Sequence, residues 1–242
     1  MKPIIVTAAT RRELCLLIDT MEAGDRPEIG RREIYKGMIG DRHTILAITG
    51  IGKTNAASTV TAILERFAPE ILINTGCAGA YADSRLKVGD LAMATAEICG
   101  DEGVLAPDGW HSLELIGIPA VSRNGEEYFN RFPLTQWAQD KAAHVAEAAG
   151  LTLHRGLFVT VSTVSGSSLR GLEMFRRFGG ICENMEGAAV AQVATLYGAD
   201  CLEIRGVSNL VEDRDLGRWD IPLAVERAQR FILDFIASLC RV

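Results

Sequence analysis

Four short segments of this chain hold the polar and small residues that a reacting ligand needs. Each lies where an apolar run ends or a helical pattern begins. Thr10-Arg11-Arg12-Glu13 follows the first apolar run, and Asn74-Thr75-Gly76-Cys77-Ala78-Gly79 follows a later one. Glu183-Asn184-Met185-Glu186 precedes a helical pattern, and Arg205-Gly206-Val207-Ser208-Asn209 follows an apolar run beginning at Cys201. In α/β sheets ligands gather at the carboxyl ends of strands, so these are the places to look for chemistry. Every one of these residues also has a plain structural role available. Glu13 and Glu186 suit the first turn of a helix, where the macrodipole favours a carboxylate. Arg205 suits a partly buried ion pair, Met185 and Cys77 suit packing, Asn209 suits a turn, and Val164 suits a strand. No histidine stands near Cys77 in sequence, which argues against a thiol nucleophile. His43, His111, His144 and His154 form no HExxH spacing, and the six cysteines form no Cys-x-x-Cys pair, so no metal site is expected. Gly50-Ile51-Gly52-Lys53 lacks the spacing of a phosphate loop and reads as a helix-opening turn.

The elements that must position these groups alternate between short apolar runs and helical spacing. Residues 3–8 and 43–49 read as strands, with 33–38 as an antiparallel neighbour of the second. Residues 12–21 and 53–67 read as helices. The second carries Ala56, Val60, Ile63, Leu64 and Phe67 on its inner stripe and stops at Pro69. Residues 70–74 read as a buried strand that enters a turn at 75–79. Strands are also expected over 91–98, 157–164 and 201–207. Residues 187–197 form a helix closed by Gly198, and a last helix spans 222–240. The irregular stretch 100–132 is long enough to suggest a functional loop. The alternation implies an α/β fold with a mostly parallel sheet covered on both faces. The 242 residues carry 25 Lys+Arg against 31 Asp+Glu, a net charge of −6, which disfavours a protein that mainly grips nucleic acid. No apolar run approaches the length of a membrane span. The first residues are too short an apolar stretch for a secretory signal, and scattered cysteines suit a reducing cytoplasm.

Taken in order, Gly50-Ile51-Gly52-Lys53, Asn74-Thr75-Gly76-Cys77-Ala78-Gly79, Lys87-Val88-Gly89-Asp90, Asn184-Met185-Glu186-Gly187-Ala188-Ala189 and Arg205-Gly206-Val207-Ser208-Asn209 resemble the nucleoside phosphorylase/nucleosidase superfamily. The general pattern is similar to the 5′-methylthioadenosine/S-adenosylhomocysteine nucleosidases. Two departures point to a branch of that superfamily. Asp101-Glu102-Gly103-Val104 with Pro107-Asp108-Gly109-Trp110 looks like the signature of futalosine hydrolases, and Asn209 stands where the adenine-specific nucleosidases carry Asp.

The resemblance implies one three-layer αβα domain over residues 1–242, with a central mixed, mostly parallel sheet. It implies hydrolysis of an N-glycosidic bond through an oxocarbenium-like ribose, with no cofactor and no metal. By this resemblance Glu13 activates water, Glu186 grips the ribose hydroxyls, Met185 packs on the sugar, and Arg205 orients the water or Glu13. Asn209, within the frame of Arg205 and Ser208, reads the base. Its amide suits a 6-oxopurine, which makes hypoxanthine the leaving group. Cys77, Ala78 and Gly79 offer small size and backbone N–H groups, and Val164 and Ser165 hold the purine. The partner is then a small nucleoside, with no nucleic acid and no membrane. The place in metabolism is the futalosine route to menaquinone. At least a homodimer is implied, in which residues 100–110 help close a neighbour's pocket. Arg123, Arg131, Arg214 and Arg218 are the cations available for a carboxylated substrate tail. Arg11 and Arg12 raise the competing expectation of a phosphorylase, though Glu13 beside them would repel phosphate. The same scaffold would also suit an adenine-type nucleosidase or a non-catalytic nucleoside sensor.

Overall fold

The computed structural model describes residues 2–239. Its first half runs β1 (Ile4–Ala8), α1 (Cys15–Thr20), β2 (Glu22–Asp25), β3 (Glu28–Ile29), β4 (Arg32–Ile39), β5 (Arg42–Ile48), α2 (Lys53–Leu64), β6 (Ile71–Tyr81) and β7 (Leu91–Cys99). Small elements follow: β8 (Val104–Ala106), β9 (Gly109–His111), β10 (Val121–Arg123), β11 (Glu126–Tyr128) and β12 (Arg131–Pro133). The second half runs α3 (Gln136–Ala148), β13 (Leu153–Thr160), α4 (Ser168–Phe178), β14 (Gly180–Asn184), α5 (Gly187–Tyr197), β15 (Cys201–Val211) and α6 (Ile221–Ser238).

β1 is buried along its whole length, as an apolar run without alternation must be. It lies between β5 and β6, parallel to both, and β4 with β2 and β3 extends that wing antiparallel. Beyond β6 the sheet curls. β6 pairs parallel with β15 and antiparallel with β14, and β15 pairs antiparallel with β7. β7 and β14 both pair parallel with β13. The strands β6, β15, β7, β13 and β14 therefore close into a small barrel attached to an open wing, and the sheet is mixed.

Alternate side chains of β1 face opposite layers. Ile5 packs with Ala56, Val60 and Ile63 of α2 and with the Ala188–Ala194 surface of α5. Ile4 and Val6 pack with Leu17 of α1, Ala138 of α3, and Phe231 and Phe235 of α6. Helix α4 covers Tyr81, Val159 and Val211 at one side of the barrel. This is the three-layer αβα arrangement.

Several local expectations change. Residues 75–79 are not a turn: β6 runs on to Tyr81, exchanging β1 for β14 as its neighbour while keeping β15. Gly76, at φ +143°, takes the kink that this exchange requires. The 157–164 strand is displaced to β13, which ends at Thr160 opposite Asn184, where its partner strand ends too. Val164 is consequently a loop residue, 39% exposed, and not strand packing. The Arg205–Asn209 segment lies inside β15, with a bulge between Val207 and Asn209. The expected helix over 12–21 divides into a 3-10 turn at Arg11–Glu13 and α1. The irregular stretch 100–132 contains two small hairpins, β8–β9 and β10–β11, and the edge strand β12. Cys15, Cys77, Cys99, Cys182 and Cys201 are free thiols, and Cys240 lies outside the described residues. Among the described residues no helix is long and apolar enough to cross a membrane.

Candidate active site

A cavity of about 440 Å³ opens beside the carboxyl ends of β1 and β6 and the bulged stretch of β15. All the residues expected from sequence meet there: Glu13, Cys77, Ala78, Gly79, Val164, Ser165, Met185, Glu186, Arg205, Ser208 and Asn209. The lining also holds Arg12, Ile51, Glu183, Arg214 and Trp219.

Glu13 serves two masters. Its Oε2 accepts from the Thr10 amide (2.9 Å) and the Thr10 hydroxyl (2.8 Å), the helix-start role anticipated for it. Its Oε1 is held apart, accepting from the Cys77 amide at 3.1 Å at the cavity wall. Gly76 makes that approach feasible, since a Cβ there would stand 2.4 Å from Glu13 Oε1 and 2.9 Å from Arg205 Nη1. Cys77 Sγ is 3.7 Å from the same oxygen. Burial, with the negative charge of Glu13, pushes the Cys77 thiol up to about 11. It is a neutral, packed thiol at physiological pH.

Arg205 is 1% exposed and faces carboxylates on more than one side. Its Nε donates to Glu203 Oε1 at 2.8 Å, and Nη1 donates to the Cys77 carbonyl at 3.3 Å. Its Nη2 is buried without a hydrogen-bond partner, 3.8 Å from Glu186 Oε2. Burial alone would lower the Arg205 pKa, but Glu203, Glu186 and Glu13 outweigh it and hold the guanidinium charged. Glu186 accepts from the Gly52 amide at 2.9 Å through Oε1. Burial raises its pKa, and Arg205 and the Gly52 N–H oppose the rise. An orphaned donor beside a carboxylate, both at a cavity wall, is a place where a ligand hydroxyl or water completes the hydrogen bonding.

At the other side, Ser208 Oγ donates to Asn209 Oδ1 at 2.8 Å, and Asn209 Nδ2 donates to the Leu210 carbonyl at 3.0 Å. An amide nitrogen carries two hydrogens, so one remains for the cavity. The loop bearing Val164 is pinned by Glu183, whose Oε1 accepts from Ser165 N (2.7 Å) and whose Oε2 accepts from Ser165 Oγ (2.6 Å) and Tyr81 OH (3.2 Å). Asp101 braces the same loop from outside. It accepts from the Ser162 amide and, through Oδ1, from Lys53 Nζ at 2.7 Å. Lys53 Nζ also donates to Glu102 at 2.7 Å, so its charge is neutralised locally and is not presented to a phosphate. Residues 101–110 do not line this chain's own cavity. Asp101 and Glu102 are occupied by Lys53, Asp108 pairs with His111, and Trp110 packs edge-on against Phe178 at 5.2 Å.

Of the arginines considered for a tail, Arg214 alone lines the cavity, stacked 5.0 Å over Trp219. Arg218 pairs with Glu212 at 2.6 Å, while Arg123 sits against Gly198 and Arg131 is on β12. Arg11 turns away to Tyr35, donating to its hydroxyl at 2.6 Å, whereas Arg12 stays at the lining. Trp219 had no sequence motif to mark it, whereas Glu183 stood in the Glu183–Glu186 segment picked out from sequence but was given no role of its own. Among the described residues no cluster of His, Cys, Asp and Glu could hold a metal ion.

The architecture is that of an α/β protein whose mixed sheet closes into a barrel, with carboxylates and a buried guanidinium gathered at the cavity on its rim. The chain belongs to the phosphorylase superfamily, whose family model matches residues 3–237. It is 30% identical over 208 residues to a 5′-methylthioadenosine/S-adenosylhomocysteine nucleosidase of Anoxybacillus flavithermus, covering 86% of this chain and 85% of that protein. It is 32% identical over 204 residues to a futalosine hydrolase of Thermus thermophilus, covering 84% and 85%. Among solved structures it superposes on the 5′-methylthioadenosine/S-adenosylhomocysteine nucleosidase of Neisseria meningitidis in complex with methylthio-immucillin-A, with TM-score 0.85 and 27% identity over 99% of this chain and 100% of that one. These homologues and structural neighbours are nucleosidases, that is, N-glycosyl hydrolases, which supports nucleosidase activity here; both substrate classes occur among them.

Proposed function

We propose that the enzyme hydrolyses the N-glycosidic bond of futalosine, releasing hypoxanthine and dehypoxanthine futalosine on the route to menaquinone. The observation that carries the choice is Asn209, a neutral amide at the cavity with one uncommitted N–H. A 6-oxopurine offers O6 to that donor, whereas a 6-amino group would meet it with another donor. Arg214 and Trp219 at the lining add a cation and an aromatic face suited to a carboxyphenyl tail.

In this reading water sits within reach of Glu13 Oε1, which takes its proton as the ribose becomes electron-poor. Glu186 accepts from the ribose hydroxyls. These bonds strengthen as positive charge grows on the sugar, so they favour the transition state over the bound substrate. The orphaned Nη2 of Arg205 holds Glu186 and the water in register. Met185 packs on the sugar and Val164 on the base. Asn209 cannot deliver a proton, so solvent supplies the one that N7 of the leaving base takes up. Phosphate is disfavoured as the nucleophile because Glu13 stands in the cavity and Lys53 is bound by Asp101 and Glu102. A cytoplasmic homodimer or larger homo-oligomer belongs to the same reading, supported by exposed Leu105 in the 100–110 stretch proposed to reach a neighbour and by exposed Leu115, Ile116 and Ile118 just beyond it.

The second reading, a methylthioadenosine/adenosylhomocysteine nucleosidase, is favoured by the relative and the solved structure of that class. The test is a panel of futalosine, methylthioadenosine, adenosylhomocysteine and inosine in phosphate-free buffer, with the free base identified. Hypoxanthine from futalosine at a rate insensitive to added phosphate is expected. Adenine release without hypoxanthine release overturns the substrate choice, and a strict phosphate requirement overturns hydrolysis.

A further inference from the structure

Two buried carboxyl groups lie under the site and have no part in the chemistry above. Glu97 on β7 is 0% exposed and Glu203 on β15 is 1% exposed. They meet beneath the N-terminus of α5. A Cβ on Gly187 would stand 2.0 Å from Glu97 Oε1 and 2.6 Å from Glu203 Oε2, so both oxygens crowd one point. Two ionised carboxylates in that position would repel each other with no water to screen them.

The pair belongs to a closed ring of contacts. Glu203 Oε1 accepts from Arg205 Nε at 2.8 Å, and Arg205 Nη2 faces Glu186 Oε2 at 3.8 Å. The Glu186 amide donates to Asn184 Oδ1 at 3.0 Å. Asn184 Nδ2 returns to Glu97 Oε1 at 2.7 Å, closing the ring. Thr160 Oγ1 donates to Glu97 Oε2 at 2.8 Å and accepts from the Ala188 amide at 2.7 Å. We propose that Glu97 and Glu203 share one proton, and that this single-charge pair is a positioning device that fixes Arg205 from below and Glu186 through Asn184.

The ring needs that proton. A protonated Glu97 Oε1 donates to Glu203 while its lone pair still accepts from Asn184, which leaves Glu203 negative beside Arg205. Burial first, and Glu203 second, hold Glu97 protonated well above the usual carboxylate range, against the donors Thr160 and Asn184. The other titratable groups around the pair are Arg205 and Glu186, already in the ring, and the thiols Cys182 on β14 and Cys201 on β15. Both thiols are pushed up by burial and stay neutral. Because the Glu97 pKa is raised in the folded state, its contribution to stability is complete below the ordinary carboxylate range. It is lost as pH rises through the raised value.

The inference rests on the nucleosidase reading for its kinetic test and on spectroscopy for an independent one. E97Q and E203Q each leave one charge in the pair, so both are expected to fold. E203Q moves that charge off Arg205 and is expected to lower kcat about 10-fold or more, as small misplacements of reacting groups do, with KM changed far less. E97Q keeps the charge beside Arg205, but a Gln amide cannot both donate to Glu203 and accept from Asn184 at one atom. A smaller loss in kcat is expected, together with the absence of the alkaline fall in rate that the proposal predicts for wild type on whichever of futalosine and methylthioadenosine it hydrolyses. Independently of activity, wild type at neutral pH is expected to show the infrared carbonyl stretch of a buried carboxylic acid, and E97Q to lack it. Failure of the nucleosidase reading would appear as no base release with that band intact. A band absent from wild type, an alkaline limb unchanged in E97Q, or an E203Q kcat equal to wild type overturns the proton-sharing pair.

Discussion

Gly76→Ala tests the placement of Glu13 without touching its chemistry. The added Cβ would lie 2.4 Å from Glu13 Oε1, and real Cβ contacts essentially never fall under 3.0 Å. The carboxylate oxygen must therefore retreat by about 0.6 Å at least, away from the Cys77 amide that holds it at 3.1 Å. The far end of Glu13 is fastened by Thr10, so the retreat is a rotation of the carboxylate and not a shift of the whole side chain. A misplacement of about 1 Å in a reacting group costs on the order of 10²-fold in rate, and a shift of this size is expected to lower kcat by roughly 10- to 100-fold. Alanine at φ +143° adds backbone strain of about 1–3 kcal/mol, so the melting temperature falls as well. Gly40→Ala separates the two effects. Gly40 has φ +59° with open space around its Cβ position, so it carries strain without contact. Both variants should lose stability, and Gly76→Ala alone should lose turnover, measured as base release under saturating futalosine. Glu13→Gln, which keeps shape and removes the base, should fall by about 10² to 10⁴ with binding retained. A Gly76→Ala enzyme with wild-type kcat would refute the assignment of Glu13 Oε1 as the group that activates water.

Asn209→Asp should move the kcat/KM ratio from 6-oxo towards 6-amino nucleosides. A well-placed hydrogen bond inside a dry pocket is worth about 1–3 kcal/mol, or roughly 5- to 150-fold at 1.36 kcal/mol per decade. An unchanged ratio for futalosine against its 6-amino analogue would show that this side chain does not read position 6. Arg214→Ala should raise KM for futalosine by about 10-fold while sparing inosine, since a charge-assisted hydrogen bond is the contact removed; equal effects on both substrates would sink the tail assignment. Cys77 should resist alkylation until pH approaches its raised value of about 11, because only the thiolate reacts. Cys77→Ser should keep most of the turnover, and loss of activity in that variant would reopen the question of a reactive thiol.

What the sequence revealed and what it hid follow from the same physics. Residues 187–197 and the last helix, expected over 222–240 and observed as Ile221–Ser238, were legible because their apolar positions recur at helical spacing, with Gly198 closing the first. β6 was half legible. Its first residues are plainly apolar, but Thr75-Gly76-Cys77-Ala78-Gly79 has the composition of a turn. The strand persists there because β14 and β15 supply backbone partners from distant parts of the chain. α3 was hidden because its buried positions are mostly alanine, Ala138, Ala142 and Ala146, too weak a stripe to stand out. At the site, Glu13, Glu186, Arg205 and Asn209 could be picked out because they sit in recognisable strings. Glu97 and Glu203 could not, since each is a single acid in an apolar run. A carboxylate in the middle of a buried strand was nonetheless a signal of partnership.

The long parallel pairing of β6 with β15 also sets an order of events during synthesis. Residues 71–81 leave the ribosome well before residues 201–211, and Leu72 finds Cys201, as Tyr81 finds Val211, only after most of the chain has emerged. The wing can assemble early, because β1, β4, β5 and α2 are close in sequence. β6 must meanwhile hold one open edge. Non-local pairing of this kind folds slowly and exposes unpaired strand to other nascent chains. The cavity rim is thus completed late, and a truncated translation product that ends before residue 201 would have a wing, four of the five barrel strands and a pocket wall lacking Arg205, Ser208 and Asn209.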